Sequence, residues 1–308
     1  MVQNTVLCRL VFVISNKYQH QNRFMKSTLR FILAVLFVTT LFTLSAQDQS
    51  YKVGLIGFYN LENLFDTLDT PDVRDTEFTP VGGKGYNHRI YGEKLGNLSR
   101  VISEIGTNMS PDGLAIVGVC EVENRDVLED LVAQPSIADR NYQIVHHDSP
   151  DERGIDVGLL YNPKYFTVTG SQAVPLILYE SDGVTRDYTR DILVVGGEYD
   201  GDPMYIMVNH WPSRSGGEAA SAPYRNAAAL MCKNLSDSLR AENPAAKIVI
   251  MGDLNDDPTS DSVDEVLAAQ GKKNKVRKGG FYNPMWAFFR KGMGTTAYRD
   301  AWSLFRSE

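Results

Sequence analysis

The stretch KIVIMGDLNDDP, Lys247–Pro258, decides how we interpret the rest of the chain. Its run of β-branched and long apolar side chains predicts a buried strand that ends at Gly252. A single turn then carries four polar residues, Asp253, Asn255, Asp256 and Asp257. Asp and Asn are common in turns because their side chains hydrogen-bond nearby backbone groups, so this pattern alone predicts only a loop. A role for these carboxylates depends on what other strands bring beside them.

The pattern of apolar segments predicts a layered domain. Eight runs have the length of buried strands, and the stretch above is the last of them. The other seven are KVGLIGFYN (52–60), LAIVGVCEV (114–122), YQIVHHD (142–148), DVGLLYN (156–162), FTVTGSQAV (166–174), DILVVGGEYD (191–200) and PMYIMVNHW (203–211). Two segments have helical spacing, HRIYGEKLGNLSRVISEIG (88–106) and APYRNAAALMCKNLSDSLRAEN (222–243). Because no repeat or long linker divides the chain, we predict one α/β or α+β domain over residues 51–308.

The first 46 residues predict a secretory signal. Basic residues after Met25 precede an apolar run from Phe31 to Leu44, and LSAQ offers small residues for cleavage after Ala46. The apolar run is short for a membrane span, so we expect no stable membrane insertion of the mature chain. We predict an N-terminal extension and signal peptide over residues 1–46, with the signal at 25–46, and a secreted or periplasmic monomer. An uncleaved anchor, and a start at either Met1 or Met25, stay open.

Charge restricts the partners. The first 46 residues hold five basic and no acidic residues, so the remainder has 26 basic and 38 acidic residues and a formal net charge of −12. Such a body is a poor electrostatic partner for long stretches of nucleic acid or an anionic membrane. The basic run Gly271–Gly280 either follows a polyanion or forms a solvated loop. The aromatic run Phe281–Phe289 either meets a membrane or belongs to the core.

Several predicted strands end in polar residues at the same kind of position: Asn60, Glu121, His210 and Asp253. Strand ends that open on one edge of a sheet can bring such groups together in a single cleft. A carboxylate at the mouth of a buried strand costs free energy unless it is paired or binds a cation. The oxygen donors here suit Mg²⁺ or Mn²⁺, with Ca²⁺ as an alternative. Taken singly, each of these residues is better explained by an ordinary structural role, such as a solvated strand end.

His210 and two arginines each allow a functional and a structural interpretation. His210 can protonate a leaving oxygen or bond a phosphoryl oxygen, or it is an ordinary buried histidine. Arg190 has the planar fork that suits phosphate, or it pairs with Asp187 or Asp191. Arg153, close to Asp156 in the sequence, leaves the same two alternatives open.

Five segments in this order resemble the endonuclease/exonuclease/phosphatase superfamily, the metal-dependent phosphoesterases related to DNase I. They are FYNLENLFD, VGVCEVEN, RGIDVGLLYN, VNHWPSR and GDLNDDP, and they span nearly all of the chain after residue 51. The resemblance implies a DNase I-like four-layer α/β/β/α sandwich with a divalent-metal site at one end. It excludes none of the phosphoester substrates that such enzymes cleave.

The resemblance also assigns roles to residues. Asn60 and Glu121 match the metal-side ligands, and His210 matches the histidine that stabilises the phosphoryl group or protonates the leaving oxygen. Asp253 and Asn255 match the pair that orients the nucleophile and contacts the phosphate. Arg190 is similar to a phosphate-binding arginine of some members, which is a looser match.

Family members close with a strand and a Ser-Asp-His motif, whose Asp helps to hold the metal and whose His is the general base. This chain instead reaches GTTAYRDAWSLFRSE and stops at Glu308. We therefore expect its last strands to be missing and its catalysis to be impaired. The resemblance predicts a secreted, metal-dependent phosphoesterase, nuclease-like or phosphatase-like, or a catalytically inactive remnant that binds metal or phosphate. The expected substrate is a phosphodiester in nucleic acid, a phosphorylated small molecule or a lipid head group.

Overall fold

The fold is described from a computed structural model, which covers residues 53–298 and 301–303. The predicted signal peptide at 25–46 and residues 304–308 lie outside the described residues. The predicted domain boundaries and the expected loss of final strands stay predictions.

The first sheet has four strands in the order β1-β2-β4-β3. The strands are β1 (Leu55–Leu64), β2 (Leu114–Val122), β3 (Gln143–His146) and β4 (Asp156–Tyr161). β1 and β2 run parallel, whereas β4 runs antiparallel to both of its neighbours. The carboxyl ends of β1 and β2 therefore lie at the same edge as the start of β4.

The second sheet repeats this arrangement with the order β10-β9-β8-β5. After β5 (Phe166–Val174), a small hairpin of β6 (Leu178–Tyr179) and β7 (Arg186–Asp187) leads to the remaining strands. These are β8 (Ile192–Tyr199), β9 (Asp202–His210) and β10 (Lys247–Asp253). β9 and β10 run parallel, so their carboxyl ends also share one edge.

Three separate apolar cores establish four layers. Side chains alternate along each strand, so β2 sends Val117 and Val119 to one core and Ile116 and Cys120 to another. The central core joins the two sheets, and each outer core joins one sheet to helices. Gly118 suits the close approach of the sheets, because a Cβ there would lie 2.8 Å from Cε of Met251. The predicted α/β/β/α sandwich is confirmed.

Long helices cover the outer faces. They are α1 (His88–Glu104) and α2 (Arg125–Val132) on the first sheet and α3 (Glu218–Glu242) on the second. Asn87 caps α1 by accepting from two backbone N–H groups, and Asn124 caps α2 in the same way through one. The two predicted helices, α1 and α3, are confirmed. The eight-residue helix α2 was not predicted, because it is too short for a clear apolar period.

Short elements follow β10. A π-helical turn (Ser262–Val266) leads to the strand pair β11 (Ala269–Gln270) and β12 (Phe281–Tyr282), then to α4 (Trp286–Phe289) and the pair β13 (Thr296–Tyr298) and β14 (Ala301–Ser303). The lysines and arginine of the run Gly271–Gly280 are all exposed. Within the described residues, no helix is both long enough and apolar enough to cross a membrane.

Candidate active site

The polar strand ends of the two sheets meet through one asparagine. Nδ2 of Asn60, on β1, donates to Oε1 of Glu121 at 3.0 Å and to Oδ2 of Asp253 at 3.1 Å. Glu121 belongs to the first sheet and Asp253 to the second, so this amide joins the two sheets at their common edge. The structure thus brings together residues that lie 193 positions apart in the chain.

Glu121 is held in a strained backbone conformation. The pairing of β2 with β4 shifts between Cys120 and Val122, so Glu121 is the extra residue of a β-bulge. Its φ of 56° lies in the left-handed region, which is uncommon for a residue with a side chain. Bulges and left-handed residues re-aim side chains and concentrate at functional sites. The strain therefore supports a functional role for this carboxylate.

Asp253 is positioned by its neighbours along the turn. A Cβ at Gly252 would lie 2.2 Å from the backbone oxygen of Asn209, so only glycine fits at that position. The backbone N–H of Asn255 donates to Oδ1 of Asp253 at 3.1 Å, with Asn255 in the left-handed region at φ 51°. Nδ2 of Asn255 donates to the carbonyl of Trp211 at 2.9 Å. Asn255 thus links the turn to the end of β9.

His210 lies opposite Asp253 in the register of β9 and β10. Its Nε2 is 3.9 Å from Oε1 of Glu121, and its buried Nδ1 has no hydrogen-bond partner among the described residues. Burial lowers the pKa of His210 well below its usual value, and the positive charges of Arg190 and Arg153 lower it further. The imidazole is therefore neutral in the free protein. A neutral imidazole can donate a hydrogen bond to an oxygen through its one N–H, whereas only the protonated form acts as an acid.

Arg190 has a different partner from the one expected. Its Nη1 binds Oδ2 of Asp151 at 2.9 Å, so the predicted pairing with Asp187 or Asp191 is wrong. Nε and Nη2 donate to the carbonyls of His210 and Trp211. The side chain is only 6% exposed, because β9 and the loop at Asp151 cover it. Its phosphate contact stays a prediction, and these internal bonds argue against it.

The remaining carboxylates of the turn, Asp256 and Asp257, pair with arginines. Asp256 binds Nε of Arg225 through Oδ2 at 2.8 Å and Nη2 of Arg214 through Oδ1 at 3.2 Å. Asp257 lies 3.5 Å from the same Nη2 of Arg214. Nε of Arg214 also donates to the carbonyl of Asn255. The carboxylates of Lys247–Pro258 therefore form two sets. Asp253 lies at Asn60, whereas Asp256 and Asp257 bind arginines in and just before α3 and so attach the turn to that helix.

Sequence reasoning missed this anchor. Arg225 lies in the Ala-rich face of α3 and is 1% exposed, and Nη1 donates to Oγ of Ser221 at 2.8 Å. A fully buried arginine requires a buried acidic partner. The signal that could have found it is an arginine at an apolar position of a helix near an Asp-rich turn.

The donor set at Asn60 fits a divalent cation. Glu121 and Asp253 accept from the same amide, and among the described residues neither carboxylate has an ion pair with Lys or Arg. The ammonium of Lys94 donates instead to the carbonyls of Glu62 and Asn63. Two close carboxylates without a cation are unfavourable unless a metal binds them. Asn60 presents its amide nitrogen, while its Oδ1 accepts from the N–H of Glu62 at 2.8 Å, so its role as a metal ligand stays a prediction.

A second group of metal-ligand types lies on the neighbouring strands. Atoms of His146, Asp148 and Asp156 approach within 4.8 Å of one another. Asp156 binds Nε2 of His146 at 3.0 Å and accepts from the backbone N–H of Ser149. These bonds give Asp156 a structural role, because they close the loop between β3 and β4. The group carries no ligand assignment.

Comparisons with known proteins identify the family of this chain. A sequence profile described as the Endonuclease/Exonuclease/phosphatase family matches residues 55–307, which include every proposed site residue. No functionally curated protein matches the chain. Several solved structures are similar to the chain at low identity.

One similar structure is truncated TDP2 of Caenorhabditis elegans, with 21% identity, a TM-score of 0.38, and coverage of 54% of this chain and 58% of that one. Another is an endonuclease/exonuclease/phosphatase family protein of Bacteroides thetaiotaomicron, with 17% identity, a TM-score of 0.44, and coverage of 71% and 69%. A mannosyl-6-phosphatase of the same bacterium has 16% identity, a TM-score of 0.44, and coverage of 70% of each chain. The chain spans about half of the length of the other C. elegans TDP2 structures. On the strength of the profile match, the chain belongs to the endonuclease/exonuclease/phosphatase family of metal-dependent phosphoesterases.

Proposed function

We propose that this protein is a Mg²⁺- or Mn²⁺-dependent phosphoesterase whose active site is the edge shared by the two sheets. The observation that carries the proposal is the Asn60 amide, which holds Glu121 and Asp253 together, while neither carboxylate has an ion pair with a Lys or Arg of the described residues. A pair of carboxylates that the fold brings together and leaves unneutralised has a reason to exist if a metal binds there. Ca²⁺ suits the same oxygen donors.

Glu121 and Asp253 would hold the metal. When bound, the ion neutralises phosphoryl oxygens and makes a phosphoester open to attack by water. Asn60 orients both carboxylates through its Nδ2, and Asn255 fixes Asp253 through its backbone N–H. These two asparagines thus keep the carboxylate oxygens in place before any substrate arrives.

His210 supplies a neutral donor beside Glu121. Because its pKa lies well below the usual value, the imidazole of the free protein is neutral at neutral pH, so its one N–H can donate a hydrogen bond but is not acidic enough to protonate a leaving oxygen. We therefore assign His210 to hydrogen bonding with a phosphoryl oxygen, the first of the two roles that the resemblance implies. Asn255, predicted to contact the phosphate, uses its side-chain amide on Trp211, and its phosphate contact stays part of the proposal.

The substrate would be a phosphodiester of nucleic acid, a phosphorylated small molecule or a lipid head group. A net charge of −12 after residue 46 disfavours long polyanions away from the metal. A small phosphoester, which needs little contact outside the metal site, agrees best with this charge.

The test is hydrolysis of bis(p-nitrophenyl) phosphate and p-nitrophenyl phosphate by the full chain with Mg²⁺ or Mn²⁺. We expect release of p-nitrophenol that stops with EDTA, and a fall in kcat of about 100-fold or more in Glu121→Gln. Glu129→Gln, on the exposed face of α2, is the matched control and should keep full activity. Metal binding by calorimetry without hydrolysis of either compound would favour the alternative, an inactive domain that binds metal.

We also propose that the mature protein is secreted or periplasmic. Support comes only from the basic and apolar pattern of residues 25–46. N-terminal sequencing of the protein recovered from periplasm and medium should find a start at Gln47. A start at Met1 or Met25 would contradict the cleavage.

A further inference from the structure

A groove of about 250 Å³ is lined in part by the residues that follow His210 in the chain, Pro212 and Ser213. Its walls are the loops 151–153, 187–190 and 212–215, and side chains from Arg74, Ser221 and Tyr224 complete it. The third loop follows His210 closely along the chain, and Nε of Arg190 donates to the His210 carbonyl at 3.2 Å. The groove is therefore next to the proposed catalytic site.

One wall of the groove has an excess positive charge. Asp151 lies between two arginines, with Oδ2 at 2.9 Å from Nη1 of Arg190 and Oδ1 at 3.2 Å from Nε of Arg153. The side chains of Asp151 and Arg190 are buried, so water screens this charge weakly. One carboxylate against two guanidinium groups leaves a net charge of +1 at this wall.

Arg153 is the accessible member of the three. Its side chain is 51% exposed, whereas that of Arg190 is 6% exposed. Nε and Nη2 of Arg153 bind Asp151, and Nη1 has no hydrogen bond to another described residue. A guanidinium held by a carboxylate on one side and open on the other is well suited to a phosphate oxygen. The charges of both arginines also reach His210, whose pKa they lower in addition to burial.

The positive charge is confined to this wall. Elsewhere in the groove Arg74 pairs with Glu152, and Asp187 adds one negative charge. A long polyanion would meet these carboxylates, whereas a single phosphate could reach Arg153 without crossing them. The scissile phosphate is already assigned to the metal that Glu121 and Asp253 would hold, so Arg153 is available to a neighbouring group.

We propose that this groove binds a second phosphate group of the substrate, carried near the scissile one, and that Arg153 is the residue that contacts it. The inference rests on the proposed phosphoesterase function. The second phosphate has two possible sources, the flanking phosphate of a nucleotide chain or another phosphate of a small molecule. Both present the same chemistry to Arg153.

The test is calorimetric binding to the full chain with Ca²⁺ present and turnover monitored in parallel. One pair of probes is thymidine 5′-monophosphate and thymidine 3′,5′-bisphosphate, and the other is glucose 6-phosphate and glucose 1,6-bisphosphate. We expect at least a tenfold preference for the bisphosphate in one pair, and that pair identifies the source. In Arg153→Ala the preference should fall to within twofold, and Arg153→Lys should retain part of it.

Arg125→Ala is the matched control, because Arg125 is 52% exposed and also pairs with a carboxylate, Glu129. It should keep the preference, and thermal melts should show all variants folded. Equal affinity for both probes of each pair in the wild-type chain, or a preference that survives Arg153→Ala, would overturn the proposal. Since binding needs no turnover, a preference measured in Ca²⁺ together with no hydrolysis of the same compounds in Mg²⁺ or Mn²⁺ supports the groove and counts against the proposed catalysis. Hydrolysis without a preference for the bisphosphate supports the proposed catalysis and counts against the groove.

Discussion

The two halves of one turn, Asp253 and Asp256, treat a carboxylate in opposite ways. Asp256 is bound by two arginines and by the hydroxyl of Ser262, so its charge is compensated within the protein. Among the described residues, Asp253 accepts only from uncharged amide groups, and Glu121 shares one of them. The half at Asp256 is therefore complete as folded, whereas the half at Asp253 keeps a negative charge that another group has to neutralise.

This difference separates carboxylates that fix the structure of the turn from carboxylates that bind a ligand. Compensated charges fix the turn against α3 and change little when a ligand binds. Uncompensated charges store unfavourable free energy, which a bound cation releases. Strain follows the same division, because Glu121 and Asn255 have left-handed backbone conformations and Asp256 does not.

The largest effect should come from breaking the compensated half. Arg225→Met leaves Asp256 buried without its main partner, and we expect a loss of about 3 to 5 kcal/mol in the free energy of unfolding. Urea denaturation in EDTA measures it. Arg100→Met, which removes an exposed pair with Glu104 on α1, should change stability by less than about 1 kcal/mol. Equal losses in the two variants would show that the anchor at Arg225 has no special weight.

Much of the fold could be predicted from the sequence because strand and helix periods are local. Apolar runs of strand length identified the eight strands of the two main sheets, and the strand ends pointed to Asn60, Glu121, His210 and Asp253. The partners of the arginines could not be predicted in this way. Arg190 binds Asp151 and Arg225 binds Asp256 across loops whose path only the packed fold determines. The direction of the Asn60 amide likewise depends on Glu62, through a local turn with no clear sequence signal.

Glu123 adds a third way of treating a buried carboxylate, which is to retain the proton. Burial raises its pKa from 4.5 to about 7, and the charges of Asp66 and Asp75 act in the same direction. In the unfolded chain the proton leaves near the lower value, so this group's contribution to stability is complete below pH 4.5. The contribution is lost as the pH rises from there through 7.

Glu123→Gln should therefore flatten the decline in stability between pH 5 and 8, with a gain on the order of 2 kcal/mol over the wild-type chain at pH 8. Melting curves in EDTA across this range measure the effect without interference from metal. Glu129→Gln, which removes an exposed carboxylate of α2, should leave the pH dependence as it is. Parallel curves for Glu123→Gln and the wild-type chain would mean that Glu123 is ionised when folded.

The smallest effect should come from completing the uncompensated half with metal. At ten times its dissociation constant, Mn²⁺ should raise the free energy of unfolding by about 1.4 kcal/mol, because it binds the folded site and not the unfolded chain. Asp253→Asn should abolish this gain, whereas Asp257→Asn should keep it, because Asp257 faces Arg214 on the compensated side of the same turn. Thermal melts of the two variants with and without Mn²⁺ measure whether each one keeps the gain in stability. A gain that survives Asp253→Asn but not Asp257→Asn would place the cation on the wrong half of the turn and reverse the assignment of the two carboxylates.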